Sequence, residues 1–173
     1  MTERREVQVR PGTEDDLEAL TGIYNHYITE TPVTFDTETF TPEERRPWLL
    51  SYSEDGPHRL LVAQETPSRR ILGYATSGPL HPRPGYATSV LVSAYLAPDA
   101  VGRGLGTLLY KHLFEALDGQ DLHRAYAGIA LPNEASARLH ARFGFRPVGT
   151  YREVGRKFGR YWDVDWYEKP LGN

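Results

Sequence analysis

Five consecutive residues, Gly102-Arg103-Gly104-Leu105-Gly106, have the clearest chemical use in this chain. They lie between an apolar run, Ala87 to Ala97, and a second run with apolar residues at helical spacing: Leu105, Leu108, Leu109, Leu113, Phe114 and Leu117. Glycines let a backbone approach a ligand closely. The first N–H groups of a helix have no partner within it and sit at the positive end of its dipole. A glycine loop that opens a helix is therefore suited to a pyrophosphate, and Arg103 adds positive charge at its rim. No Gly-Lys-Ser/Thr follows, which argues against a Walker-type loop. The spacing G-x-G-x-x-G is not met, which argues against a dinucleotide fingerprint. From the loop alone, a pyrophosphate site and a ligand-free glycine turn both stand.

Other side chains offer proton transfer or charge recognition. His140 titrates near neutral pH, and its alternative role is a buried ring that only packs. His81 and Arg83 lie in the proline-rich stretch Pro79 to Gly85, where they either bind an anionic substrate group or form plain loop surface. His26 and Glu30, on a helical stretch and its end, either border an acceptor site and serve as a base or form a solvated helix face, and Phe35 and Trp48 either wall an apolar pocket or belong to the core. The chain has no cysteine, which excludes disulfides, thiolate metal sites and a Cys nucleophile. Its six histidines show no ligand spacing, so no metal is expected. A Ser-His-Asp hydrolase is disfavoured because G-x-S-x-G is missing.

The elements that must position these residues follow from periodicity and breakers. Glu6 to Arg10 alternates as a strand. Thr13, followed by Glu14, Asp15 and Asp16, opens a helix over residues 13–29. Thr41-Pro42-Glu43-Glu44 is a capping box that starts a second helix, which ends before Gly56-Pro57. Arg59 to Glu65 and Ile71 to Gly78 form a hairpin, and Ala87 to Ala97 is a long strand ahead of the glycine loop. The third helix ends near Asp118-Gly119. His123 to Ala130 is a strand, Asn133 to Arg142 a short helix, and Phe145 to Tyr151 with Tyr161 to Lys169 a closing antiparallel pair. Hairpins first and strand–helix alternation later predict an α+β fold. Its central sheet is mixed, mostly antiparallel and of about seven strands, with helices on both faces.

With 173 residues, 39% hydrophobic and 25% charged, the chain suits one domain over residues 1–173 with a real core. A net charge of −3 without a long basic run argues against nucleic acid or an anionic membrane as partner. Met1 to Glu6 leads into no apolar stretch, and no segment reaches the roughly 18 apolar residues of a membrane span, so a cytoplasmic protein is expected.

Taken together, the motifs resemble a known family. The glycine loop between strand and helix resembles motif A of the GNAT acetyltransferases. Asn133-Glu134-Ala135-Ser136 with Leu139-His140, then Phe143-Gly144-Phe145, resembles their motif B. Tyr24-Asn25-His26-Tyr27, Thr34-Phe35, Gly73-Tyr74-Ala75, Leu131-Pro132-Asn133 and Lys157-Phe158-Gly159 with Asp163 are similar to the phosphinothricin/methionine sulfoximine N-acetyltransferase branch, over roughly residues 7–170. The resemblance implies acetyl-CoA as co-substrate and a small amino-acid-like amine as acceptor. It implies cofactor contacts from Ala94, Tyr95 and Leu96 along the strand, from Gly102, Arg103, Gly104, Leu105, Gly106 and Thr107 at the pyrophosphate, and from Asn133 at the pantetheine. It makes His140 the catalytic candidate, places Phe35, His81, Arg83, Leu91 and Ser93 around the acceptor, and implies a homodimer.

The chain departs from that pattern at two places. Leu91 stands where the branch usually has a glutamate base, and leucine moves no proton. Leu80 and His81 stand where it has a Trp-Arg pair that recognises the acceptor, which argues against phosphinothricin and methionine sulfoximine as substrates. An acetyltransferase for a peptide, lysine or antibiotic amine, and a non-catalytic acyl-CoA binder, remain as alternatives.

Overall fold

The computed structural model describes residues 5–172; Met1 to Arg4, at the start of the stretch read above as lacking a leader, and Asn173 lie outside them. The elements are β1 (Glu6–Pro11), α1 (Leu17–Glu30), α2 (Pro42–Leu50), β2 (Arg59–Thr66), β3 (Ile71–Pro79), β4 (Ser89–Leu96), α3 (Leu105–Leu117), β5 (Arg124–Ala130), α4 (Glu134–Arg142), β6 (Arg146–Lys157) and β7 (Arg160–Pro170). The seven strands form one sheet in the order β1-β2-β3-β4-β5-β7-β6. Every neighbouring pair is antiparallel except β4 and β5.

Helices cover both faces, as the pattern predicts, because the strands alternate their apolar side chains. Leu60, Val62 and Tyr74 point to one face and pack with Leu20 and Ile23 of α1 and Leu49 of α2. Leu61, Ala63, Ala75, Val90, Val92, Ala125 and Ala127 point to the other and pack with Leu109, Tyr110 and Leu113 of α3. By alternation, Leu91, Ser93 and Tyr95 of β4, and Tyr126 and Gly128 of β5, lie on the α1/α2 face.

The strand pair that matters most for function is incomplete. β4 pairs with β5 only over Ser89–Leu91 against Arg124–Tyr126. Beyond that point β4 stays with β3 as far as Leu96, while β5 stays with β7 as far as Val164 opposite Ala130. The two central strands therefore splay apart, and a gap opens through the middle of the sheet.

Most element boundaries fall within a residue of the sequence expectation; the larger differences have local reasons. The first helix begins with a separate 3-10 turn, Glu14–Asp16, in which Asp16 closes a capping box with Thr13. Asp16 is nearly buried and binds Arg10 through two N–H···O bonds of 2.8 Å. Burial opposes its ionisation, but the bonds from Arg10 and Thr13 outweigh it and hold the carboxyl below its usual range. β4 starts at Ser89 rather than Ala87, because a 3-10 turn, Pro84–Tyr86, occupies the approach. β6 runs on to Lys157 rather than ending at Tyr151. A bulge between Tyr151 and Gly155 keeps it paired with β7, and Glu153 at φ +52 donates its N–H to Asp163.

Candidate active site

The splayed strands, the glycine loop and α4 enclose a cleft of about 820 Å³. One end is formed by α3 and α4. The other is formed by the end of α1 and the segment after it, with Tyr27, Glu30, Thr31, Pro32 and Val33.

The glycine loop has the backbone conformation its composition predicts. Gly102 and Gly104 have φ of +76° and +74°, in the left-handed region that disfavours side chains. Gly104 is the N-cap of α3, and no side chain caps that helix. The first N–H groups of α3 thus face the cleft without a side-chain acceptor, as an anion site requires. Gly106 lets α3 and α4 approach: a Cβ there would stand 3.3 Å from Leu139. Arg142 at the end of α4 donates to the Thr107 hydroxyl at 2.7 Å and ties the two helices together.

Most of the residues expected at the cofactor meet in this cleft. Ala94, Tyr95 and Leu96 line it from β4. Gly102, Gly104, Leu105, Gly106 and Thr107 line it from the loop and helix start, and Asn133 from the start of α4. Asn133 Oδ1 accepts the Ser136 N–H at 3.1 Å and so caps α4. Arg103 is turned away toward the buried Glu65, 3.6 Å distant. Of the acceptor candidates, only Ser93 lines the cleft. Leu91 sits where β4 still pairs with β5. Phe35 is seated against Gly155. His81 and Arg83 lie in the exposed β3–β4 connection, with the His81 ring tilted against that of Tyr86, centroids 4.8 Å apart.

His140 also lines the cleft, and its bonding defines its tautomer. Nδ1 lies 2.7 Å from the Ser136 carbonyl, which can only accept, so Nδ1 carries the proton. Nε2 therefore accepts, from the Tyr110 hydroxyl at 2.9 Å. The ring is packed by Phe145 and Tyr110, with centroids 5.0 and 5.2 Å away. Burial pushes its pKa below 6.5, against the opposing bond to Ser136. The histidine is thus a neutral, oriented ring, and Nε2 takes up a new proton only when the Tyr110 hydroxyl turns aside.

Sequence reasoning missed Tyr110, which its helical spacing hid among core leucines, and Arg138 and Arg142, which add positive charge along the cleft. The two arginines lie four residues apart on α4 and so share a face. That spacing was legible, but it pointed nowhere until the facing helix was known.

The comparisons with known proteins agree with this geometry. Residues 9–166 match the family model described as an acetyltransferase (GNAT) domain. The chain is 73% identical to a phosphinothricin N-acetyltransferase of Streptomyces coelicolor, over 96% of this chain and 97% of that one. It is 33% identical to an L-methionine sulfoximine/L-methionine sulfone acetyltransferase of Pseudomonas paraeruginosa, over 90% of each. Among solved structures, a putative acetyltransferase from Salmonella typhimurium with its cofactor acetyl-CoA superposes with a TM-score of 0.91 at 30% identity, over 97% of this chain and 95% of that one. The glycine loop, the splayed strands and these matches converge: the chain belongs to the GNAT acetyltransferase family and is an N-acetyltransferase.

Proposed function

We propose that the protein, as a single domain, transfers the acetyl group of acetyl-CoA to the primary amine of a small amino-acid-like molecule. The observation that carries the reading is the gap between β4 and β5, with the uncapped glycine-loop helix at its edge. The pyrophosphate binds the N–H groups from Gly102 to Thr107, with Arg138 and Arg142 supplying positive charge around it, while the side chain of Arg103 stays with Glu65. The pantetheine lies along Ala94, Tyr95 and Leu96, and Asn133, whose Oδ1 is held by the helix, offers its Nδ2. This leaves the thioester within the gap, and the acceptor approaches it from the α1/α2 end, past Ser93. Phe35 and Leu91 shape that approach from behind, and His81 and Arg83 border its outer surface.

The reaction needs a donor for the developing oxyanion and a route for the amine proton to the departing thiolate. A backbone N–H of β4 near Tyr95 or Leu96 supplies the first. With Leu91 unable to act, His140 and Glu30 are the side chains of the cleft that can hold a proton in transit, and of the two His140 is the buried, oriented one. The names of the relatives put phosphinothricin, methionine sulfoximine and methionine sulfone first among acceptors to try. The high identity to a phosphinothricin enzyme weighs against the expectation that Leu80 and His81 exclude that substrate.

The test is thiol release from acetyl-CoA with a panel of amino acids, these analogues, polyamines and peptides. Release with amino-acid-like acceptors is expected; acetyl-CoA binding without release to any amine would favour the non-catalytic alternative. In the active protein, kcat is expected to fall as the pH drops through the His140 pKa, below 6.5, because only the neutral ring accepts a proton. Tyr110→Phe removes a bond made to the neutral form and is expected to move this acid limb to higher pH. An unmoved limb would show that His140 does not set it.

We also propose a cytoplasmic homodimer. Among the described residues no helix is long and apolar enough to cross a membrane. Val148, Tyr151, Val154, Phe158 and Tyr161 expose apolar surface along the β6–β7 hairpin, at the edge of the sheet, which suits an interface between copies. Sedimentation equilibrium is expected to give twice the chain mass, and Tyr151→Glu with Val154→Glu to give the monomer.

A further inference from the structure

The glycine loop must hold its N–H groups in place, yet little in the chain restrains it. Val101, Gly102, Arg103 and Gly104 are all exposed. A Cβ at Gly102 or Gly104 would meet no atom within 4 Å, so no neighbour packs against the loop there. Among the described residues no backbone hydrogen bond joins Val101, Gly102 or Arg103 to another segment. Glycine loses more conformational freedom on ordering than any other residue. A loop that becomes ordered only when its ligand arrives gives up affinity to that cost. A restraint from outside the loop is needed, and a side chain must supply it.

Arg103 carries that restraint. Its guanidinium lies 3.6 Å from Oε1 of Glu65, near the end of β2. The Glu65 side chain is only 9% exposed, and a carboxylate so nearly buried is costly unless it is paired and hydrogen-bonded. Ser68 Oγ donates to its Oε2 at 3.0 Å. Among the described residues Arg103 is the one cation paired with it. A second ion pair, Arg70 with Asp99, joins the same two segments, because Asp99 lies in the 3-10 turn Pro98–Ala100 between β4 and the loop. Both of its members are exposed, so it adds little. The pair with a buried end is the one that fixes the loop.

We propose that Glu65 is a positioning residue for the cofactor: through Arg103 it tethers the glycine loop to the β2–β3 turn and sets the loop in its binding conformation before acetyl-CoA arrives. The proposal rests on the acetyltransferase reading above. Arg103 acts by holding the backbone of the loop, not by touching the phosphates. Its two glycine neighbours line the cleft while its own side chain does not, so the tether grips the loop from behind and leaves the N–H groups free for the ligand.

The experiment is a double-mutant cycle on acetyl-CoA affinity, measured by calorimetry in the natural protein, Glu65→Gln, Arg103→Ala and the double variant. Calorimetry needs no acceptor, so a wrong acceptor cannot be mistaken for a wrong tether. Each single variant is expected to raise Kd by about 3- to 10-fold, and the double variant to raise it no further than either single one. Losses that multiply in the double variant would overturn the tether, since the two residues would then act independently. An unchanged Kd in either single variant would overturn it as well. Tighter binding by Glu65→Gln would also overturn it, because the pair would then be keeping Arg103 from the phosphates. A natural protein that binds no acetyl-CoA would refute the reading of the loop itself, and the tether with it. Where Glu65→Gln does not fold, nuclear magnetic relaxation on ligand-free Arg103→Ala decides. The order parameters of the Gly102 and Gly104 amides are expected to fall from about 0.85 toward roughly 0.6, and values equal to those of the natural protein overturn the tether.

Discussion

Gly104→Val is expected to raise the KM for acetyl-CoA by about 10- to 100-fold, which corresponds to roughly 1.4 to 2.7 kcal/mol of lost binding. Gly104 holds φ at +74° as the N-cap of α3. A β-branched residue is a genuine outlier there, so the loop must either carry the strain or change its path. No neighbouring atom lies within 4 Å of where a Cβ would stand. The substitution therefore strains the backbone without crowding the core, and its main effect falls on the N–H groups that must converge on the pyrophosphate. Calorimetric titration with acetyl-CoA, together with a melting curve, separates the two effects. Weakened affinity with only a modest fall in Tm is the expected outcome. Unchanged affinity would mean that the loop does not hold the cofactor.

Gly155→Val is expected to lower Tm by about 3 to 10 °C, from roughly 1 to 3 kcal/mol of overpacking in a chain of this size. A Cβ at Gly155 would lie 2.2 Å from the Phe35 ring, so Phe35 must leave its seat. Nearby, the Lys157 ammonium donates to the carbonyls of Thr31 and Thr34 at 2.7 and 2.8 Å. Together these contacts hold the segment after α1 against β6, and Thr31, Pro32 and Val33 of that segment close one end of the cleft. The acceptor KM should therefore rise along with the loss of stability, while the acetyl-CoA KM moves far less, because the glycine loop lies at the other end. A melting curve and the two KM values check this; an unchanged Tm would show that Phe35 has room to move aside.

His140 shows what a family pattern conveys and what it omits. Its position in the chain marked it as the proton-handling candidate. That its Nδ1 carries the proton and that Nε2 is engaged by Tyr110 follow only from the packing of α3 against α4. The same packing explains why the ring stays neutral.

What the sequence by itself determined was local in origin. The order of strands and helices, the alternation that put helices on both faces, the capping box at Thr41 and the glycine loop all depend on residues close together in the chain, where periodicity and backbone preference act. The tertiary structure decided what depends on residues far apart. It ended the β4–β5 pairing at Leu91 and so opened the cleft. It brought Gly155 against Phe35, although 120 residues of chain separate them, and turned Arg103 toward Glu65. It kept the polar stretch from Arg152 to Lys157 in a strand, because pairing with β7 satisfies its backbone where side-chain pattern gives no sign. It also buried Arg45 between Tyr24 and Trp48, a placement the charged run Glu43-Glu44-Arg45-Arg46 disguises as a solvated helix face. The physical reason is the same in each case: backbone propensity is written residue by residue, whereas burial and pairing exist only between segments that the fold has brought together.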